Sequence, residues 1–406
     1  MTSSRYRRRA ATAVAIVSLL ATAVTVSAAT GGAGKSSSTA PLSEGFTPIV
    51  TSPVAAVHPV RGADGSRHLA YELQVINPTE VAVTIDRVEI VDPGTDAVAG
   101  VLEGEAVGAH MLFVPEGDAS SGATLGPGGV AFLVMDAAAA PGGRVPRSLV
   151  HVFSLSLDPD IPELAHMMRI GATAVVGDHP VVIGPPLRGG RWVDVNGCCA
   201  QLTAHRGAVE AVNGAFVVSQ RFAIDFAQLD ADGRLFVGPP NELSSYPFYA
   251  ADVLSVAAGV VVRIQDGVPD NAPGSVPPLD LTLRTVPGNY VVVDIGGGRF
   301  ATYGHLQPGS LNVTVGDRVR RGQVLGLLGN SGNSDLPHLH FQVADGPLIL
   351  GSDGLPYEFG SFASEGMLAN PDEVLGGEVA DIDEALAGRH TRQLPLNLQV
   401  ISFGSG

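Results

Sequence analysis

Two histidines one residue apart, His338 and His340, stand in the stretch "NSGNSDLPHLHF" at residues 330–341. Side chains two residues apart on a β-strand project from the same face, so both imidazoles would point one way and Leu339 the other. Pro337 is compatible with the first position of such a strand. Imidazoles bind metals and accept protons, but two of them make at most half of a metal site. A pair of surface histidines is the competing interpretation.

Two other side chains in this region could complete such a site. His305 ends a strand-like segment in "TYGHLQPG", and Asp225 lies between the apolar Ile224 and Phe226 in "QRFAIDF". A carboxylate beside an apolar core is costly unless it meets a cation, a metal or hydrogen-bond donors. Glycines in "RGQVLGLLGNSGNS" allow tight turns before the histidine pair. Together these features indicate a metal or proton-transfer site.

The elements that must position these residues are short strands, and the chain is predicted to be all-β. Runs such as "HLAYELQVIN" alternate apolar and polar residues over 46–184, which predicts an Ig-like β-sandwich with an accessory role. Strands resume over 185–374, the region with the candidate residues. Its two long polar interruptions, 232–249 and 265–287, are expected to wall a groove. Residues 375–406 form an acidic tail with a possible last strand.

The predicted sandwich contains six further histidines with no shared ligand spacing. We expect them to be solvated or to lie at sheet edges. They are His58, His68, His110, His151, His166 and His179.

Composition and charge limit the class of protein. The chain has 406 residues, 45% hydrophobic and 16% charged, with 51 glycines and 29 prolines. That length suits two folded units, and that composition favours strands joined by tight turns. The formal net charge of −16 makes nucleic acid and anionic membranes poor partners. We therefore expect no binding to nucleic acid. We also expect a monomer.

The start of the chain resembles an export signal. Arginines precede an apolar stretch that runs from about Ala10 to Val26, and small residues follow it. This pattern predicts a secretory signal peptide, 1–28, although an uncleaved membrane anchor is the competing interpretation. Residues 29–45 have the composition of a flexible linker. We expect a secreted protein without stable membrane insertion after cleavage.

The two cysteines, Cys198 and Cys199, are adjacent in the chain. In an exported protein they could oxidise to a vicinal disulfide, but neighbouring thiols cannot link distant parts of a fold. A turn with two small, half-buried side chains is the simpler expectation. The sequence leaves the disulfide open.

The stretch "GNYVVVDIGGGRFATYGHLQPGSLNVTVGDRVRRGQVLGLLGNSGNSDLPHLHFQV" closely resembles the lysostaphin-type zinc metallopeptidases, the cell-wall endopeptidases that include LytM-like proteins. The resemblance extends from about Gln220 to Val343, under a third of the chain. It implies a compact antiparallel β core with zinc (Zn2+) at the floor of a narrow groove. It also implies that Asp225 and His340 bind the metal and that His338 is catalytic, with His305 beside it.

One position departs from the family pattern. The family writes its first metal ligand four residues before the aspartate, where this chain has Arg221. Arginine has no lone pair to give a cation. Either the ligand comes from elsewhere, with His205 in "TAHRGAVEAVNG" as the best candidate, or metal binding is lost and Arg221 pairs with Asp225. We favour retained zinc, because loss of chemistry would not be expected to spare Asp225, His305, His338 and His340 together.

The resulting prediction is a secreted, cell-wall-associated zinc metalloendopeptidase that hydrolyses the peptides of bacterial peptidoglycan. A catalytically inactive domain that binds the wall or activates another wall hydrolase is the main alternative. An adhesion or sugar-binding protein made of two sandwiches is the third, and it requires the histidine cluster to be coincidental.

Overall fold

Short segments in which apolar and polar residues alternate form β-strands throughout the described residues. The predicted all-β class is confirmed. The structure is a computed structural model that describes residues 45–114, 122–177, 179–278 and 280–404. The predicted signal peptide and all but the last residue of the predicted linker lie outside these ranges. In the described part of the chain no helix is long and apolar enough to span a bilayer.

Antiparallel strands form two facing sheets between residues 45 and 177. In chain order these strands are β1 (Val50–Pro53), β2 (Pro59–Arg61), β3 (Arg67–Ile76), β4 (Ala82–Asp92), β5 (Ala97–Glu103), β6 (Met111–Val114), β7 (Thr124–Leu125), β8 (Val130–Ala139), β9 (Ser148–Asp158) and β10 (Met167–Ala174), with the short helix α1 (Glu105–Ala109) before β6. One sheet has the order β1-β3-β8-β6 with β2 beside β3, and the other has the order β10-β9-β4-β5 with β7 beside β4. Their inner faces share one apolar core, which includes Tyr71, Val88, Leu133 and Phe153. We call this pair of sheets the sandwich.

The remaining strands build a larger sheet and two small two-stranded sheets. In chain order they are β11 (Val181–Ile183), β12 (Gly189–Val195), β13 (Glu210–Val212), β14 (Ala215–Val217), β15 (Ile224–Gln228), β16 (Asp252–Leu254), β17 (Gly259–Gln265), β18 (Asn289–Gly296), β19 (Arg299–Leu306), β20 (Arg318–Val319), β21 (Val324–Leu327), β22 (Leu339–Ala344), β23 (Tyr357–Leu368), β24 (Ile382–Asp383), β25 (Gly388–Gln393) and β26 (Gln399–Phe403). The two small sheets are the hairpin β13-β14 and the pair β16-β21. The described helical turns here are a 3-10 turn at Leu243–Ser245 and α2 (Pro371–Leu375).

The larger sheet places β15 and β22 side by side near its middle. Its order is β11-β23-β26-β12-β15-β22-β19-β18-β17-β20, and β24 and β25 both pair with β23. Leu339 and Phe341 of β22 are fully buried against one face, together with Phe226 of β15. The side chains that alternate with them project from the opposite face.

The outer face of β3 and β8 packs against the rest of the protein. Phe132 of β8 makes an edge contact with Phe216 of the β13–β14 hairpin, with ring centroids 4.7 Å apart, and Ala70 of β3 belongs to the apolar core of the larger sheet. The described residues accordingly pack as one compact unit. The division at residue 185 and the separate tail from 375 remain predictions. In the structure, β11 precedes residue 185 but pairs with β23 of the larger sheet, and β26 follows residue 375 but also belongs to that sheet.

The expectation that the sandwich histidines are solvated is wrong for His68 and His151, which are 6% and 1% exposed. His68 is held between Asp136, 2.8 Å from its Nδ1, and Asp64, 3.3 Å from its Nε2. Burial lowers the pKa of His68, but the two carboxylates outweigh burial and raise it to about 10. Burial lowers the pKa of His151 to about 4, and its Nε2 lies 2.7 Å from the Tyr71 hydroxyl.

His68→Gln is expected to lower the free energy of unfolding by about 1–3 kcal/mol, because a buried charged hydrogen-bond partner is lost. The folded-state pKa of His68 lies above its usual 6.5, so this contribution is complete below pH 6.5 and is lost as the pH rises to about 10. Urea unfolding of both proteins across this pH range measures the difference. The exposed His166→Gln is the control, and a difference that does not change with pH would contradict the assignment.

Candidate active site

Strand register brings Asp225 and His340 together. They are directly opposite each other in the β15–β22 ladder, so both side chains leave the same face of the sheet. His340 Nδ1 lies 2.9 Å from Asp225 Oδ1. The neighbouring pairs, which include Phe226 and Leu339, turn toward the core on the other face.

His205 reaches the same place from a loop. We call residues 196–209, between β12 and β13, the His205 loop. His205 Nε2 lies 3.2 Å from Asp225 Oδ2, and the His205 and His340 rings are perpendicular with centroids 4.9 Å apart. One ligand atom from each of His205, Asp225 and His340 can be chosen so that all three lie within 4.8 Å of one another.

Local bonds hold the His205 loop in shape. Asn196 follows directly after β12 and donates its side-chain N–H to Asp225 Oδ2 at 2.9 Å. The Thr203 hydroxyl donates to the Asn196 carbonyl and accepts the Arg206 N–H, which closes the turn before His205. The adjacent cysteines are fully buried and joined by a disulfide, which differs from the simpler expectation of two half-buried thiols.

The donor set fits a tetrahedral metal site with an open position. His205 Nδ1 donates to the Ala223 carbonyl at 3.1 Å, because a carbonyl oxygen can only accept, and this leaves Nε2 directed toward Asp225 as the nitrogen that would bind a metal. His340 Nε2 lies 2.9 Å from Gln342 Oε1, and the Gln342 amide is oriented by its own N–H bond to the Ile349 carbonyl. His340 Nδ1 therefore also faces Asp225, as the nitrogen that would bind a metal. Outer partners of this kind orient metal-binding histidines.

Arg221 takes no part in this cluster. Its Nε donates to Glu72 Oε2 of the sandwich at 2.9 Å, and its Nη1 donates to the Ala56 carbonyl at 2.8 Å. The pairing of Arg221 with Asp225, which the alternative of lost metal binding required, is thus replaced by a pairing with Glu72. The position that the family gives to a ligand serves here as a contact to the sandwich.

His338 and His305 stand beside the cluster. His338 Nδ1 donates to the Leu336 carbonyl at 2.8 Å, and its Nε2 lies 3.4 Å from Asp225 Oδ1. His305 Nδ1 donates to the Ser331 carbonyl at 2.7 Å, and the two rings are 4.7 Å apart. His305 has a φ of 58°, a left-handed conformation uncommon for a residue with a side chain, where β19 ends. A carbonyl oxygen thus occupies the Nδ1 of each ring, and Nε2 is the nitrogen that could exchange a proton.

Burial and mutual charge set the protonation of these groups. Burial acts to raise the pKa of Asp225, but His205 and His338 hold it well below its usual value. Burial lowers the pKa of His338, yet the Asp225 carboxylate raises it above its usual value. Burial, with His338 and His340 nearby, holds the pKa of His305 well below its usual range. Before any metal binds, an ionised Asp225 thus lies beside one imidazole that favours a proton and one that does not.

A groove opens over the five residues. Its walls include Val286 and Pro287 from the second long interruption, and Ile349 and Leu350 from the segment after β22. The first interruption, 232–249, supplies none of the described residues that line it. Asn196 and Gln342 are site residues that the sequence prediction missed. The spacing "HLHFQ" carried a signal for Gln342, since it continues the period of two beyond His340.

Comparison with known proteins places the segment with the paired histidines in a family. Residues 247–348 match the model of Peptidase family M23, and the chain therefore contains an M23 peptidase domain, as the lysostaphin-type resemblance predicted. This range includes His305, His338 and His340, while His205 and Asp225 precede it.

Two curated relatives are similar over a short segment. The peptidoglycan DD-endopeptidase ShyA of Vibrio cholerae is 43% identical over 56 residues, 14% of this chain and 13% of that protein. The glycyl-glycine endopeptidase ALE-1 of Staphylococcus capitis is 46% identical over 56 residues, 14% of this chain and 15% of that protein. The match thus spans about a seventh of each relative. The catalytic domain of lysostaphin from Staphylococcus simulans aligns with a TM-score of 0.21 and 22% identity, covering 36% of this chain and 80% of that one.

Asp225→Asn is expected to lower the pKa of His338 in metal-free protein, because the carboxylate charge raises that pKa. NMR titration of the histidine ring protons measures it. Asp232→Asn, an exposed acid outside the groove, should leave the His338 pKa unchanged. An unchanged value in Asp225→Asn would show that the carboxylate does not control His338.

Proposed function

We propose that the protein is a secreted zinc metalloendopeptidase that hydrolyses peptide bonds in bacterial peptidoglycan. The observation that carries this proposal is the convergence of His205, Asp225 and His340 at one point, with His338 and His305 beside them. The M23 peptidase domain and the endopeptidase names of the relatives support the reaction class.

His205 Nε2, Asp225 and His340 Nδ1 would hold the metal. Two imidazoles and a carboxylate are a set that zinc accepts in open catalytic sites. Bound zinc would polarise a substrate carbonyl and lower the pKa of water at the open position. Gln342 and the Ala223 carbonyl would keep the two ligand rings in the required tautomers.

His338 would move the proton, and His305 would assist the reaction beside it. His338 Nε2 faces the cluster while its Nδ1 is fixed by the Leu336 carbonyl, so His338 can accept a proton from the attacking water and pass it to the leaving amine. His305, neutral and fixed by the Ser331 carbonyl, is placed to orient the water and stabilise the developing oxyanion. The groove would bind the peptide in an extended form between Pro287 and Ile349.

The proposal includes export of the protein, which we take to act as a monomer. Peptidoglycan lies outside the cytoplasm, which agrees with the predicted signal peptide at 1–28. The acidic net charge offers no general attraction to an anionic wall, so groove contacts or the sandwich would supply the affinity.

The purified protein is expected to contain about one zinc per chain, and His205→Ala and His340→Ala should each lose most of it, because three protein ligands are the usual minimum for catalytic zinc. Elemental analysis after gel filtration measures the metal. His166→Ala, a change at an exposed histidine of the sandwich, should keep the wild-type content. A folded wild-type protein that takes up no zinc would contradict the proposal that the protein is a metalloenzyme.

His338→Ala is expected to keep its zinc while its kcat falls by about 100- to 10,000-fold, because a general base is lost. The assay follows new amino termini released from purified peptidoglycan, and new reducing ends should not form. Zinc-loaded wild-type protein that binds the wall without releasing amino groups would favour the inactive binding module instead.

A further inference from the structure

A buried ion triad joins the sandwich to the site. Glu72 of β3 binds both Arg206 and Arg221, and the three residues are 1%, 1% and 2% exposed. Glu72 alternates with Tyr71 and Leu73, which belong to the sandwich core, so its carboxylate leaves the outer face of the sheet. The triad thus lies in the contact between the sandwich and the larger sheet.

Stability is a weak explanation for this triad. Taking two guanidinium groups and one carboxylate out of water is expensive, and apolar side chains of similar volume are often at least as stable. The hydrogen bonds of such groups are directional, however, and they fix the positions of the backbone segments that bear them. The role of the triad therefore depends on which backbone segments its bonds fix.

Arg206 fixes the His205 loop. It follows His205 directly, and its Nε donates to the Cys199 carbonyl at 3.0 Å within the same loop. Its Nη1 binds Glu72, and its Nη2 donates to the Met135 carbonyl of β8 at 2.8 Å. His110 of the sandwich adds a further contact, with its Nε2 3.0 Å from the Ala200 carbonyl.

Arg221 fixes the segment that enters β15. It lies four residues before Asp225. It binds Glu72 and the Ala56 carbonyl, and both of these partners belong to the sandwich. The Ala223 carbonyl, midway between Arg221 and Asp225, accepts the Nδ1 hydrogen bond of His205. Both arms of the triad therefore end at the His205 imidazole, one through Arg206 and one through Ala223.

We propose that Glu72 is a positioning residue for the metal site, acting through Arg206 and Arg221 on the His205 ring. This inference rests on the proposed function and extends it, since it makes the sandwich a structural part of the metal centre. Glu72 touches neither metal nor substrate and has no catalytic role.

Zinc affinity of the whole protein, measured by competition with a chelating dye, tests the proposal. Glu72→Gln keeps the shape and removes the charge, and it should weaken zinc binding by about 10- to 100-fold, the usual cost of losing an outer partner. The triple variant Glu72→Met, Arg206→Met, Arg221→Met fills the same space without directional bonds. It should fold and still bind zinc more weakly than the wild type.

Two comparisons separate positioning from stability. Val88→Ala lowers stability in the sandwich core away from the triad, and it should leave zinc affinity unchanged. If Glu72→Gln fails to fold, the triple variant carries the test. A folded triple variant with wild-type zinc affinity would overturn the proposal, since packing alone would then position His205.

A readout that needs no metal keeps this test distinct from that of the proposed function. In metal-free protein with ¹⁵N-labelled histidine, the Nδ1–H of His205 should be protected from exchange by its bond to the Ala223 carbonyl. This protection should fall in Glu72→Gln and persist in Val88→Ala. Wild-type protein that binds no zinc would contradict only the proposed metalloenzyme function. Unchanged protection in Glu72→Gln would contradict the positioning role of Glu72.

Discussion

The carboxylate of Asp225 is the charge on which the site depends. Its side chain is only 13% exposed, and an ionised carboxylate at such a place must meet donors or a cation. The structure surrounds it with the Asn196 amide and with imidazoles from three directions, His205, His338 and His340. The groups that satisfy the Asp225 carboxylate in the metal-free protein are also groups that can bind a divalent cation.

The cluster is built from two kinds of support. Asp225 and His340 are fixed by the ladder between β15 and β22, where a one-residue shift of either strand would turn that strand's site residue away from the groove. His205 has no such ladder, because its loop lies outside the large sheet and is held by side-chain bonds. A ligand on a loop needs external bracing to be as well placed as one on a strand. The sandwich supplies that bracing at Glu72, Met135 and His110.

Sequence reasoning succeeded where local geometry decides the outcome. The period of two places His338 and His340 on one face and buries Leu339 and Phe341, as observed. It could not foresee that Arg221 pairs with Glu72, because these residues are 149 positions apart and neither carries a local signal for the other. The prediction that His68 is solvated failed for a similar reason, since its ion-pair partner Asp136 lies 68 positions away in the chain. The proximity of His205 to Asp225 was open from sequence, because loop length permits it without requiring it.

The extent of the family match bears on what constitutes the working unit. Residues 247–348 include the paired histidines and β19, but Asp225 and His205 lie before this segment. Removing the preceding chain would strip β15 from β22 and leave β22 as an edge with unpaired backbone groups. It would also remove two of the three candidate ligands and the triad that holds one of them. The smallest segment that contains the five site residues therefore begins before His205, and a segment that also keeps the Glu72 triad begins no later than β3.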